Sequence, residues 1–163
     1  MSGRNEYHSP IPLPKEGGDH GSVAKATSGL LVLASLGRPG GGNVKGILLF
    51  GHGARNPEWA QPFHRIRDAI LAREPEALVE PGFLELMRPS FDEGVDCLVR
   101  QGARDIVVVP IFMAAGSHVK KDLPQMAANA MDRHPGLVIT LAAPVGEAEP
   151  VLAAMADYAI NAN

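Results

Sequence analysis

A three-layer α/β domain on a four-stranded, mostly parallel sheet is the architecture this sequence predicts from residue 45 onward, and three observations predict it. Short apolar runs alternate four times with amphipathic stretches of helical period. Glycine or proline punctuates the junctions. One run, Asp105-Ile106-Val107-Val108-Val109-Pro110-Ile111-Phe112, is apolar almost throughout, which suits a central strand covered on both faces.

Taken in order, the first strand is Gly46-Ile47-Leu48-Leu49-Phe50. A helix follows Pro57, with Trp59, Phe63, Ile66 and Ile70 recurring at helical spacing as its inward face. The second strand spans about 77–86. Its helix starts near Pro89-Ser90, places Phe91, Val95 and Leu98 on one face and stops at Gly102, a residue that can take the left-handed conformation of a helix end. The third strand is the 105–112 run, followed by a helix over about 119–134. The fourth strand is 137–141. The last helix runs over about 149–160 with Val151, Leu152, Met155 and Tyr158 facing inward.

The 163 residues are 45% hydrophobic and 20% charged, enough for one domain, assigned to 45–163. Residues 1–44 differ: they hold nine of the eighteen glycines and four prolines and show no sustained period. This stretch is expected to be a disordered extension, or an over-long start ahead of a chain that begins near Val44. Its apolar segment, Leu30 to Leu36, is too short and too far from Met1 to serve as a secretory core. Cys97 is the single cysteine, which excludes an internal disulfide and a cysteine-based zinc site and points to a reducing, cytoplasmic setting. A net charge of −3 without a basic stripe argues against nucleic acid, and no apolar run is long enough to span a membrane.

In open parallel sheets, ligands bind beyond the carboxyl ends of the strands. Those ends carry Gly51-His52-Gly53-Ala54-Arg55 after the first strand, Glu85 at the end of the second and Gly116-Ser117-His118 after the third. With the strand order 2-1-3-4 of flavodoxin-like sheets, assumed here, His52 and His118 flank one crevice. The glycines beside them leave room for a bulky ligand, whereas a histidine buried for packing more often sits among large apolar residues. Glu85, within Phe83-Leu84-Glu85-Leu86, needs a partner or ligand if buried. His64 falls off the helix face, and His134 suits a helix C-terminus as a cation. Cys97 is read as packed or flanking, without chemistry. Met87, Met113 and Met126 are read as core or cleft wall.

These residues resemble a known family. The stretch from Gly46 to about Tyr158 is similar to the small, single-domain CbiX-type sirohydrochlorin chelatases. The similarity rests on Gly51-His52-Gly53-Ala54-Arg55, on Phe83-Leu84-Glu85-Leu86 followed by Pro89-Ser90, and on Gly102-Ala103-Arg104 leading to Gly116-Ser117-His118-Val119-Lys120-Lys121-Asp122-Leu123-Pro124. It implies a chelatase-like fold and insertion of a divalent ion (Co²⁺, Fe²⁺ or Ni²⁺) into sirohydrochlorin, for cobalamin, siroheme or related tetrapyrroles. It implies metal contact and catalysis by His52 and His118, assistance from Glu85, and no permanently bound cofactor, since the metal is substrate. The imidazole chemistry agrees, because neutral histidine ligates these ions and titrates near neutrality.

The many carboxylates of sirohydrochlorin call for cations at the cleft, and Arg55, Arg88, Lys120 and Lys121 fall at that edge. A domain this small covers one side of a large planar ligand, so a homodimer is expected. Two other readings compete: a non-catalytic metal or tetrapyrrole carrier using the same two histidines, and a histidine phosphatase-like enzyme suggested by His52-Gly53 followed by Arg55. The latter fits poorly, since Gly51 stands where those enzymes place arginine.

Overall fold

The computed structural model describes residues 44–114 and 116–162, without the side chains of residues 117–119. Residues 1–43, where the extension is expected, lie outside the described residues. Four parallel strands, β1 (Lys45–Gly51), β2 (Leu78–Phe83), β3 (Asp105–Pro110) and β4 (Val138–Leu141), form one sheet in the order β2-β1-β3-β4. Helices α1 (Gln61–Leu71), α2 (Phe91–Arg100), α3 (Ser117–Arg133) and α4 (Glu149–Asn161) make the crossovers and the C-terminal element. The α/β class is as the sequence predicts, and the 2-1-3-4 order is the one assumed. The strands are β-branched and leucine-rich runs that pair only with parallel neighbours, so each crossover needs a helix.

Side-chain alternation divides the sheet into two unlike faces. Gly46, Leu48 and Phe50 of β1 and Ile106, Val108 and Pro110 of β3 point to the side of α2 and α3 and are buried. There Leu48, Phe91, Val95, Leu98 and Ile106 close the core at 1% exposure or less. Phe91 meets Phe50 edge to face at 5.7 Å. Helix α2 is well set for this: Ser90 caps its N-terminus in a reciprocal box with Glu93, and Gly102 at φ 103° ends the segment.

The opposite face is thinner over β3 and β4, although Leu49, Val79 and Phe83 are buried on the α1 side of β1 and β2. Val107 and Val109 of β3 are only half-buried, so β3 is covered less completely on this side than its apolar run predicts. An apolar residue in a short run cannot report whether a helix actually lies over it. Helix α1 buries none of its residues fully, and α4 packs mainly against the short 3₁₀ turn Val145–Glu147 that precedes it. The inward face expected for α4 is therefore corrected: Leu152, Met155 and Tyr158 are exposed, and Val151 is half-buried.

Trp59 needs a second correction. Residues Pro57–Ala60 form a separate 3₁₀ turn, and α1 starts only at Gln61 with Pro62 in its first turn. Trp59 therefore does not continue the face of Phe63 and Ile66, and it is 65% exposed. Strand β2 stops at Phe83, three residues short of the expected end, where the chain turns into the site loop.

Candidate functional site

At the carboxyl edge of the sheet, the loops after β1 and β2 are tied to each other by their backbones. The Leu84 N–H donates to the Gly51 carbonyl at 2.9 Å, and the Glu85 N–H donates to the His52 carbonyl at 3.0 Å. Gly53, at φ 91°, makes this approach possible, because a Cβ there would collide with the Glu85 carbonyl oxygen. The consequence is a side-chain pair: His52 Nε2 lies 3.0 Å from Glu85 Oε1, both side chains more than half exposed. A neutral imidazole donates its Nε2–H to the carboxylate in this arrangement and leaves Nδ1 as the acceptor.

Immediately after Glu85 the chain makes a three-residue turn. Its closing bond is Met87 N–H to the Glu85 carbonyl at 2.8 Å, and Leu86 sits at its centre with φ 62°. A branched residue in the left-handed region is strained, and here the strain lies beside a carboxylate of the site. Further along, Arg88 pairs with Glu93. The Glu93 carboxyl is held below the ordinary glutamate range, first by the Ser90 backbone N–H it accepts at 2.7 Å and then by the Arg88 charge.

The chain leaving β3 runs along the end of β1, with the Ile111 N–H donating to the Phe50 carbonyl at 2.8 Å. Helix α3 then begins at Ser117 after Gly116, so His118 is the second residue of that helix. Its side chain lies outside the described residues. Beside the His52–Glu85 pair opens a cavity of about 360 Å³, lined by His52, Trp59, Phe63, Phe83, Met87 and Phe112 among others. Its floor is aromatic, with Phe63 and Phe83 edge to face at 4.9 Å. Among the described residues, no group of three or more His, Cys, Asp or Glu side chains is placed to hold a metal ion.

Of the sequence-predicted site residues, the structure brings His52 and Glu85 into contact. It places Arg55, Lys120 and Lys121 on the surface and engages Arg88 with Glu93. His134 pairs with Asp96 at 2.7 Å and ties the end of α3 to α2. His64 is exposed, as expected. Cys97 lies against Glu80 and Gln101 at 3.4 and 3.2 Å. Trp59 and Leu86 were not expected at the site. For Trp59 a signal existed: Asn56-Pro57 opens a turn and Pro62 marks the true helix start, so the tryptophan falls between the two. No signal in the sequence points to the left-handed Leu86.

A parallel 2-1-3-4 sheet, with an imidazole–carboxylate pair bridging the loops after β1 and β2 and an apolar cavity beside it, defines an open α/β protein with its ligand site at the carboxyl edge of the strands. The CbiX family model matches residues 46–162. The sirohydrochlorin cobaltochelatase of Sulfurisphaera tokodaii is 37% identical over 106 residues, covering 65% of this chain and 83% of the relative. That of Priestia megaterium is 33% identical over 117 residues, covering 69% of this chain but 37% of the relative. Among solved structures, the sirohydrochlorin chelatase SirB from Bacillus subtilis subspecies spizizenii in complex with cobalt superposes with a TM-score of 0.63 at 31% identity, covering 72% of this chain and 50% of SirB. The chain thus spans half or less of two of these proteins and most of the third. It belongs to the CbiX family.

Proposed function

We propose that this protein inserts a divalent metal ion, Co²⁺, Fe²⁺ or Ni²⁺, into sirohydrochlorin, with release of the two pyrrole N–H protons. The observation that carries this reading is the His52–Glu85 pair at 3.0 Å at the mouth of the aromatic cavity, in a chain of the CbiX family. Two donors that each sit roughly 2.1 Å from an octahedral ion lie roughly 3.0 Å apart when adjacent in its coordination sphere. The spacing that makes a hydrogen bond without metal therefore also suits joint ligation once the imidazole proton shifts to Nδ1 and the ring turns so that both lone pairs meet at the ion.

In this reading His52 and His118 hold the incoming ion, and Glu85 orients His52 and shares the charge. Few protein ligands leave positions free for the macrocycle nitrogens, so the ion passes on rather than staying trapped. As the ion passes to the macrocycle nitrogens, the lone pair of His52 that held it is freed and accepts one pyrrole proton, and the second pyrrole proton leaves to water. Arg55, Lys120 and Lys121 meet the rim carboxylates of the tetrapyrrole, as does Arg88 when it exchanges Glu93 for substrate.

The test is turnover with each ion under excess sirohydrochlorin, followed by absorbance. The expected result is many turnovers for the native chain and a loss of about 100-fold or more in kcat/KM for His52→Ala and for His118→Ala. Stoichiometric uptake without turnover would make the protein a carrier. Substantial activity in both variants would remove the histidine assignments.

The working form in this proposal is a cytoplasmic homodimer. The fold supports it, since the described domain matches one half of SirB. So does α4, whose Leu152, Met155, Tyr158 and Ile160 remain exposed beside a groove of about 540 Å³. A second copy is the occupant we assign to that groove. Sedimentation should find a dimer for the native chain and monomers for Met155→Ser/Tyr158→Ser, with stability of the monomer changed by no more than about 0.5 kcal/mol. A native chain that is monomeric and fully active would remove the dimer.

A further inference from the structure

Resting on the chelatase reading, we infer that Trp59 is the stacking platform for the macrocycle, a substrate-binding residue with no part in the proton or metal steps. The indole is 65% exposed although the same cavity contains Phe63, Phe83 and Phe112, against which it could have been buried. The turn that carries it is closed locally. The Asn56 side chain accepts the Glu58 N–H at 3.0 Å, the Trp59 N–H donates to the Asn56 carbonyl at 3.2 Å, and the 3₁₀ turn so formed ends before α1 begins. The backbone beneath Trp59 is thus fixed while its ring faces solvent at the mouth of the site.

Neighbouring loops show the same feature. The loop after β2 exposes Leu86 and the loop after β3 exposes Met113, at 57% and 56%. The loops after β1, β2 and β3 therefore each present one large apolar side chain to water, where a solvated loop would favour polar residues. A cavity of about 360 Å³ takes in one edge of a substituted tetrapyrrole, not the whole disc. The rest must lie over the rim, and a flat conjugated ring is met most favourably by another flat ring. Of the three exposed side chains, only Trp59 offers one. Stacking of this kind holds the substrate equally before and during metal entry, so it acts on binding rather than on the rate of the bound complex.

The chain contains a single tryptophan, so its emission reports this position alone. Metal-free sirohydrochlorin is titrated against the native full-length protein, Trp59→Phe and Trp59→Ala, with binding read by tetrapyrrole absorbance and, in the native protein, by protection of the indole from acrylamide quenching. Turnover kinetics are measured on the same three. The expected result is protection in the native protein, a roughly tenfold rise in Kd and KM for Trp59→Ala with kcat within about twofold, and recovery to within about threefold by Trp59→Phe. Native turnover together with unchanged Kd and KM in Trp59→Ala overturns this inference alone. So does a Trp59→Phe protein as impaired as Trp59→Ala. A native protein that neither binds nor metallates sirohydrochlorin overturns the chelatase reading and this inference with it.

Discussion

The two faces of the sheet have been put to different uses. On the α2 and α3 side, large side chains at or near zero exposure interlock: Leu48, Phe91, Val95 and Leu98 leave no room, and Gly94 lets the helix backbone press onto β1 and β2. On the α1 and α4 side, α1 is half-buried along its length and α4 lies open. The aromatic cavity opens beside α1, next to Phe63 and Gly51. One face supplies most of the packing that holds the strands in register, with Leu49, Val79 and Phe83 adding to it under α1. The other keeps surface available for a flat ligand and, in the dimer we propose, for a second copy.

Replacing Phe91 by alanine should show the largest effect on stability. The ring is 1% exposed and packs on Phe50, so its removal is expected to cost about 3–5 kcal/mol in urea unfolding. A loss below about 1 kcal/mol would mean that the α2 side is no better packed than the α1 side, and the contrast would be lost. Two glycines test the same contrast more finely. A Cβ on Gly94 would lie 2.8 Å from the Pro81 carbonyl oxygen, a backbone atom that cannot step aside. Gly94→Ala is expected to destabilise by about 1–3 kcal/mol, partly offset by about 1 kcal/mol of gained helix propensity. A Cβ on Gly51 would meet only the far end of the Phe63 ring, which can swing toward the cavity. Gly51→Ala should therefore cost less than about 1 kcal/mol of stability yet raise KM, because the ring intrudes on the site. Equal destabilisation by both variants would show the two faces to be equally rigid.

The smallest expected effect lies where the packed face meets the site loop, at Glu93. Its carboxyl is held below the ordinary range in the folded chain, so its charged form stabilises the fold above the pH where a free glutamate titrates. That contribution is lost as the pH falls through the lowered folded value. Glu93→Gln should be less stable than the native chain at neutral pH, and the gap should close in acid. A gap that stays constant with pH would show that the capping bonds, not the charge, provide the contribution.

Legibility in the sequence followed burial. Helix α2 could be read nearly to the residue, because its cap, its apolar face and its terminal glycine all point one way. The His52-Gly53 and Glu85 positions were legible as strand ends, and the assumed strand order put the first two strands side by side, as observed. Trp59 and α4 were misread for one reason. Helical spacing identifies residues able to be buried, and nothing in the spacing says whether a partner covers them. The left-handed Leu86 left no trace, since its conformation is imposed by the loop around it and not preferred by leucine.

By itself, the order of apolar and polar residues determined the four strand-and-helix units, their parallel arrangement and the loops from which chemistry would come, because strand and helix periods are local properties of the chain. Tertiary structure alone decided that Gly53 would admit the Glu85 carbonyl, that His52 and Glu85 would touch, and that Trp59 would face outward over a cavity. Those facts depend on segments some thirty residues apart meeting in space, and a contact between distant segments is a property of the packed molecule that no local pattern encodes.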